Sequence, residues 1–414
     1  MTVVEADVAI VGAGAAGVGA ARRLARSGVS AILIEASARV GGRALTCDIA
    51  GMPLDLGCGW LHSADRNAWT RIAEKTGLQV DRRAPAWGRQ YRNLGFPRAE
   101  QAAAGQAAAS WSRRLETRPP ASDCAADALE TDGEWNPYLQ AISGYINGAA
   151  LERVSVADYL AYDEASTECN WRVAAGYGAL IAASLPRAVD LRLSTPVLAI
   201  ELDPGGLSLK TPVGLVRARA AILAVSTAVL AGGAIRLPPE LDAWRSAAAK
   251  LPLGRNEKLF LEIVGRSPFE PETQALGNPR DARTCAYYIR PFGRPAIEGF
   301  LGGPGAEIVE EEGPAAGFAH AADELAALFG SSVRACLRPL AASNWSRATR
   351  IGGSYSHALP GRAAARGELA KPFDARIFFA GEATSPQDFS TAHGAHDSGV
   401  RAAEEAIAAL SPQR

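Results

Sequence analysis

The sequence predicts an α/β chain of two interleaved domains, one built on a parallel sheet and the other of α+β character. Three observations carry this. A strand, glycine turn, helix and second strand occupy residues 7–35. Buried-strand patterns return at 195–225 and 376–381. Two stretches of different composition lie between them.

Asp7-Val-Ala-Ile-Val-Gly12 is a short continuous apolar run, as expected of a strand buried on both faces. Ala15 to Arg26 is rich in Ala, Leu and Arg and reads as a helix, with Gly28 suited to its C-cap. A second apolar run, Ala31 to Ile34, ends in Glu35 and completes a βαβ unit. Thr195 to Glu201, Ala220 to Val225 and Arg376 to Gly381 read as further strands, and Gly394 to Leu410 as a closing helix. Between these, residues from about 77 to 168 carry many Trp, Tyr and charged residues with Ala-rich helical pieces. Residues from about 256 to 344 mix strand-like runs (259–264, 285–289) with a helix near 315–328. Gly302 to Gly305 and Glu310 to Gly313 read as surface turns. The expected division is 1–76, 172–255 and 345–414 for the first domain, 77–171 and 256–344 for the second.

The 414 residues set a soft prior of two or three domains. A hydrophobic share of 48% and a charged share of 21% fit an ordinary soluble protein. With a net charge of −1 and no basic block, neither nucleic acid nor an anionic membrane is an expected partner. The six cysteines are scattered, without metal-ligand spacing, and read as reduced thiols. No basic leader precedes the first apolar run, so a cytoplasmic protein is expected, as monomer or homodimer.

Gly12-Ala-Gly14-Ala15-Ala16-Gly17 fits G-x-G-x-x-G between a strand and a helix. The first glycine permits the tight turn, the second lets a pyrophosphate approach the backbone, and the third allows close helix–strand packing. The helix N-terminus then faces the phosphates. Glu35, followed by Ala36, ends the second strand, where a carboxylate can accept from ribose hydroxyls. Arg39-Val-Gly-Gly42-Arg43 adds a second glycine pair flanked by arginines, able to reach the same pyrophosphate from the other side.

This last element resembles the R-x-G-G-R of FAD enzymes that include amine oxidases, and the resemblance to the flavin amine oxidases sharpens toward the C-terminus. Phe379-Ala-Gly381-Glu382-Ala-Thr384 is similar to their F-A-G-E-x-T, where the glutamate holds a ribityl hydroxyl. Thr391-Ala392-His-Gly-Ala395, leading into Ser398-Gly399, resembles the start of their last helix, aimed at the flavin ring. Asp55-Leu-Gly57-Cys-Gly59-Trp60-Leu-His62 resembles a stretch beside the ring, and Thr195-Pro-Val197 the strand that holds adenine. Gly254 to Leu261 resembles the segment whose lysine, here Lys258, meets flavin N5 through a water. Trp345 with Gly352-Gly-Ser-Tyr355 resembles the element beside the ring.

The resemblance implies a Rossmann-like FAD-binding domain interleaved with a substrate-binding domain. It implies hydride transfer from an amine to flavin N5, giving an imine and then an aldehyde, with O2 reduced to H2O2. Ser354 stands where some members carry a flavin-bonded cysteine, so the FAD is expected to be non-covalent. Tyr355 supplies one aromatic wall for the amine, but Thr391 stands at the second. That opening, with the acid-rich segment Asp158 to Glu168, points to a polyamine or N-substituted amine. His62 is a candidate for a substrate or proton role. His393 and His396 lack ligand-spaced partners, so no metal is expected. An FAD desaturase of hydrophobic substrates, a monoamine or amino-acid oxidase, and a non-catalytic flavin-binding partner remain alternatives.

Overall fold

The computed structural model describes residues 2–411, in two large sheets and two short two-stranded ones with helices around them. The first sheet has seven strands. Four run in the order Asp190–Arg192, Ala31–Ile34, Thr2–Val11 and Gly214–Leu223, all parallel. Ile377–Phe379 joins the C-terminal half of Gly214–Leu223 in parallel, while the antiparallel strands Gly206–Thr211 and Ala199–Asp203 extend from its N-terminal half. Val8, Ala9, Ile10, Ile222, Ile377 and Phe379 are fully buried, which is why these strands are continuously apolar. The parallel strands end together, at Val11, Ile34, Leu223 and Phe379, and that shared edge is where a doubly wound sheet places a ligand.

The first helix, Ala15–Leu24, packs on the last, Ala392–Leu410, through small residues. A Cβ on Gly399 would lie 2.0 Å from the Ala16 carbonyl oxygen, and one on Gly17 would lie 1.9 Å from that of Gly12. Glycine is required at both places because backbone meets backbone there.

The second sheet is antiparallel, in the order Thr273–Leu276, Ala286–Ile289, Ala296–Gly302, Asn256–Ile263, Leu337–Ala342. Its side chains alternate by face. Leu259, Leu261, Ile289, Ile297 and Leu301 form a core with Ala321 and Leu325 of the helix Pro314–Phe329. Lys258, Glu298, Phe300 and Tyr288 turn the other way, toward a cavity between the sheets.

Several boundaries differ from those expected. Glu310 to Gly313 is not a turn: the helix Pro304–Glu312 carries Glu310 as a buried residue. The helix beginning at Ala15 ends at Leu24, where the Ser27 hydroxyl donates to the Leu24 carbonyl, and Gly28 lies in the turn beyond. Thr195 to Val197 precedes the strand Ala199–Asp203, because the Thr195 amide is bonded to the Glu35 carbonyl and Pro196 has no amide to donate. No helix among the described residues is long and apolar enough to cross a membrane.

Candidate active site

A cavity of about 880 Å³ runs from the ends of the parallel strands to the face of the antiparallel sheet. Gly12, Gly14, Ala15, Ala16, Glu35 and Ala36 line its first end. Gly12 has φ +103°, and a Cβ there would lie 2.7 Å from the Ala224 carbonyl oxygen, so the turn tolerates only glycine. The first amides of the following helix have no acceptor within it and open toward the cavity, a ready anion site. The Glu35 carboxylate accepts from the amides of Ala13 and Ser37, both at 2.7 Å, which fixes it at the cavity wall. Val197 is buried against the same end.

The two arginines of the second glycine element have different tasks. Arg43 lines the cavity and donates to the Ser354 carbonyl at 2.6 Å and to Glu382 at 2.8 Å. Positive φ at Gly41 and Gly42 turns the loop carbonyls toward Arg39, and its guanidinium donates to Gly42 at 2.7 Å and to Ala44 at 3.3 Å. It braces the loop that carries Gly42. Gly42 lines the cavity itself, its Cα facing that of Gly14.

Glu382 lines the cavity beside Gly381, but its oxygens are fully engaged by the protein. They accept from Arg43, the Ser356 amide and hydroxyl, and the Ser390 amide. A carboxylate offers about four acceptor sites. Glu382 thus organises Arg43 and the chain entering the last helix at the cavity wall. Burial raises its pKa, but Arg43 and Arg366 outweigh that and hold it below the usual range. Thr391 is likewise committed: its hydroxyl donates to the Asp388 carbonyl and accepts the Gly394 amide, capping the helix. Ala392 lines the cavity at that helix start.

At the other end stand Gly57, Gly59, Trp60, His62, Lys258, Trp345 and Tyr355. Lys258 is 7% exposed. Its ammonium lies 2.8 Å from Glu298 and donates to the Asp55 carbonyl at 3.0 Å. Burial lowers its pKa, yet Glu298 and Asp55 more than offset this, so it stays charged. A Cβ on Gly59 would lie 3.1 Å from that nitrogen, so the lysine head and this backbone are in close approach. His62 Nδ1 is 2.7 Å from the Asn170 carboxamide oxygen, an acceptor, so Nδ1 carries the proton and Nε2 keeps its lone pair. Burial lowers its pKa to about 4, so the ring is neutral at neutral pH. The Trp345 indole donates to the Leu56 carbonyl at 3.0 Å, and the Tyr355 hydroxyl donates to the Tyr145 carbonyl. Both rings are thus held by their polar ends with their apolar bodies on the cavity.

Two residues here carried no sequence signal. Glu298 meets Lys258 only because adjacent strands bring them together. Glu257 is fully buried on the opposite face and accepts from the Trp345 amide at 2.6 Å and from the Ser343 hydroxyl, so it supports the Trp345 segment from behind. The acid-rich segment does not form a funnel. Asp158 is buried in an ion pair with Arg366 at 2.6 Å, and Asp163, Glu164 and Glu168 are exposed, outside the cavity lining.

A Rossmann-like sheet with a second, antiparallel sheet closing its ligand edge defines a two-domain flavoenzyme architecture. The profile of the flavin containing amine oxidoreductases matches residues 88–407, and that of an NAD(P)-binding Rossmann-like domain matches residues 10–76. The chain belongs to the flavin containing amine oxidoreductase family. It is 27% identical to polyamine oxidase 4 of Oryza sativa subsp. japonica, over 96% of this chain and 88% of that one. It is 25% identical to a pseudooxynicotine dehydrogenase of Pseudomonas sp, over 63% and 59%. Its fold matches a putrescine oxidase structure bound to putrescine with a TM-score of 0.75 and 19% identity, over 98% of this chain and all of that one.

Proposed function

We propose that the protein is an oxidase of N-substituted amines whose body is largely apolar, using non-covalent FAD and oxygen. The observation that carries this is the lining of the cavity beyond Lys258: Trp60, Trp87, Tyr138, Tyr145, Tyr288 and Phe300 dominate it. Its carboxylate, Glu298, is already neutralised by Lys258. FAD, when bound, supplies hydride acceptance and return of electrons to oxygen. Gly14, Ala15, Ala16, Glu35 and Arg43 fit its pyrophosphate and ribose, since amides, a carboxylate and a guanidinium converge on one wall. Neutral His62, with its lone pair free, accepts a hydrogen bond from the amine. Tyr355 flanks the amine, and Lys258 holds positive charge where oxygen is reduced. We assign residues 1–76, 172–255 and 345–414 to FAD binding and 77–171 and 256–344 to the substrate. The location is taken as cytoplasmic.

A polyamine is the second reading, favoured by the likeness to polyamine oxidases over nearly the whole chain. Anaerobic mixing with a panel of amines decides between them, by loss of oxidised-flavin absorbance. N-alkyl and N-methyl arylalkyl amines should bleach the flavin fastest. Faster bleaching by spermidine and spermine would establish the second reading, and no bleaching by any amine would overturn both.

A further inference from the structure

We propose that Arg172 determines specificity in this site by selecting against a second cationic group in the substrate. This deepens, and rests on, the reading of the protein as an amine oxidase.

Arg172 is 5% exposed and stands behind the aromatic wall of the cavity. One terminal nitrogen donates to Asp81 at 2.6 Å and to Glu272 at 2.7 Å. The other, and Nε, have no polar acceptor. They meet rings instead: the guanidinium carbon lies 5.0 Å from the ring centre of Trp60, 5.1 Å from Tyr288 and 4.3 Å from Phe292. Trp60 and Tyr288 line the cavity, whereas Arg172 does not, so the rings separate the cation from the substrate space. Trp60 also packs on Trp87, 4.4 Å away and likewise on the cavity. The Tyr288 hydroxyl donates to Glu272 at 2.9 Å, which ties the ring to the same acid as Arg172.

An aromatic wall of this kind would otherwise be a cage for a substrate ammonium, because the ring quadrupole attracts cations at its face. Here the resident guanidinium already draws on that π density. Arg83 pairs with both Asp81 and Glu272, so two arginines balance two acids and no net negative charge remains behind the wall to attract a polycation. The inner faces of Trp60 and Tyr288 are left as apolar surface, suited to a neutral hydrocarbon or aromatic body.

The test is binding of quaternary alkylammonium ions to the holoenzyme, followed by tryptophan fluorescence. An alkyltrimethylammonium is compared with the bis-trimethylammonium ion of the same chain length. Wild type should bind the mono-cation at least about fivefold more tightly, Arg172→Lys should retain that preference, and Arg172→Met should lose most of it. A wild type that prefers the bis-cation overturns the proposal without any variant. So does an Arg172→Met protein in which both affinities fall by the same factor, the result expected of a purely structural brace. Because the readout is binding, the proposal can fail while amines still bleach the flavin, and the oxidase reading can fail while the preference stands.

Discussion

The ammonium of buried Lys258 and the carboxylate of half-buried Glu298 face each other at 2.8 Å on neighbouring strands beside the cavity. Glu298 keeps the ammonium charged despite burial, and although that carboxylate offsets part of its field, the ammonium still brings a charged donor to negative charge developing on oxygen. Lys258→Met should slow the reaction of reduced flavin with oxygen at least about tenfold, or about 1.4 kcal/mol of barrier. Stopped-flow reoxidation measures this, and anaerobic reduction by substrate should fall less. Equal small effects on both half-reactions would exclude this role.

Glu298→Gln removes the charge that offsets the burial of Lys258. The lysine pKa should then drop, and an alkaline limb in the reoxidation rate should move at least about one pH unit toward neutrality. A limb that stays in place would show that Asp55 alone maintains the charge.

Burial raises the pKa of Glu257 to about 7, against the pull of Ser343 and the Trp345 amide. Its folded value lies above its unfolded one, so its protonated form favours the fold. The contribution is full below about pH 4.5 and is lost as pH rises through 7, a loss on the order of 3 kcal/mol. Glu257→Gln should flatten the decline in thermal stability between pH 5 and 8, and a slope unchanged from wild type would refute the assignment.

Glu382 is buried between Arg43, Ser356 and Ser390. Glu382→Gln strips the charge from this hub and should cost about 3 kcal/mol of stability together with part of the bound flavin. Denaturant unfolding and the flavin-to-protein absorbance ratio test it. The wild-type group has a depressed pKa, so its contribution holds above about pH 4.5 and disappears as pH falls through the folded value.

The Ser354 hydroxyl donates to Asn256 at 2.6 Å, and no thiol stands at this position. Mild acid precipitation should therefore release intact FAD and leave a colourless pellet. Flavin retained on the denatured chain would show a covalent link from another residue.

The order of residues was enough to read the βαβ unit, the glycine elements and the closing helix. Their physics is local: Gly12 and Gly17 are needed by a turn and a helix within a few residues of each other. The same holds for Glu35 at the end of its strand, whereas Lys258 stood out only because its segment resembles one in the flavin amine oxidases. What these residues touch was not legible in this way. The bonds of Arg39 to its own loop carbonyls depend on the φ angles of Gly41 and Gly42, which decide where those carbonyls point. Asp158 looked like one acid among several on a helix, yet it pairs with an arginine 208 positions away. The Lys258–Glu298 pair and the Arg172 cage arise from strand pairing and from the packing of separate segments on one wall. Charge partners across a sheet or between domains have no period in the sequence, and burial, which sets their strength, exists only once the chain has closed around them.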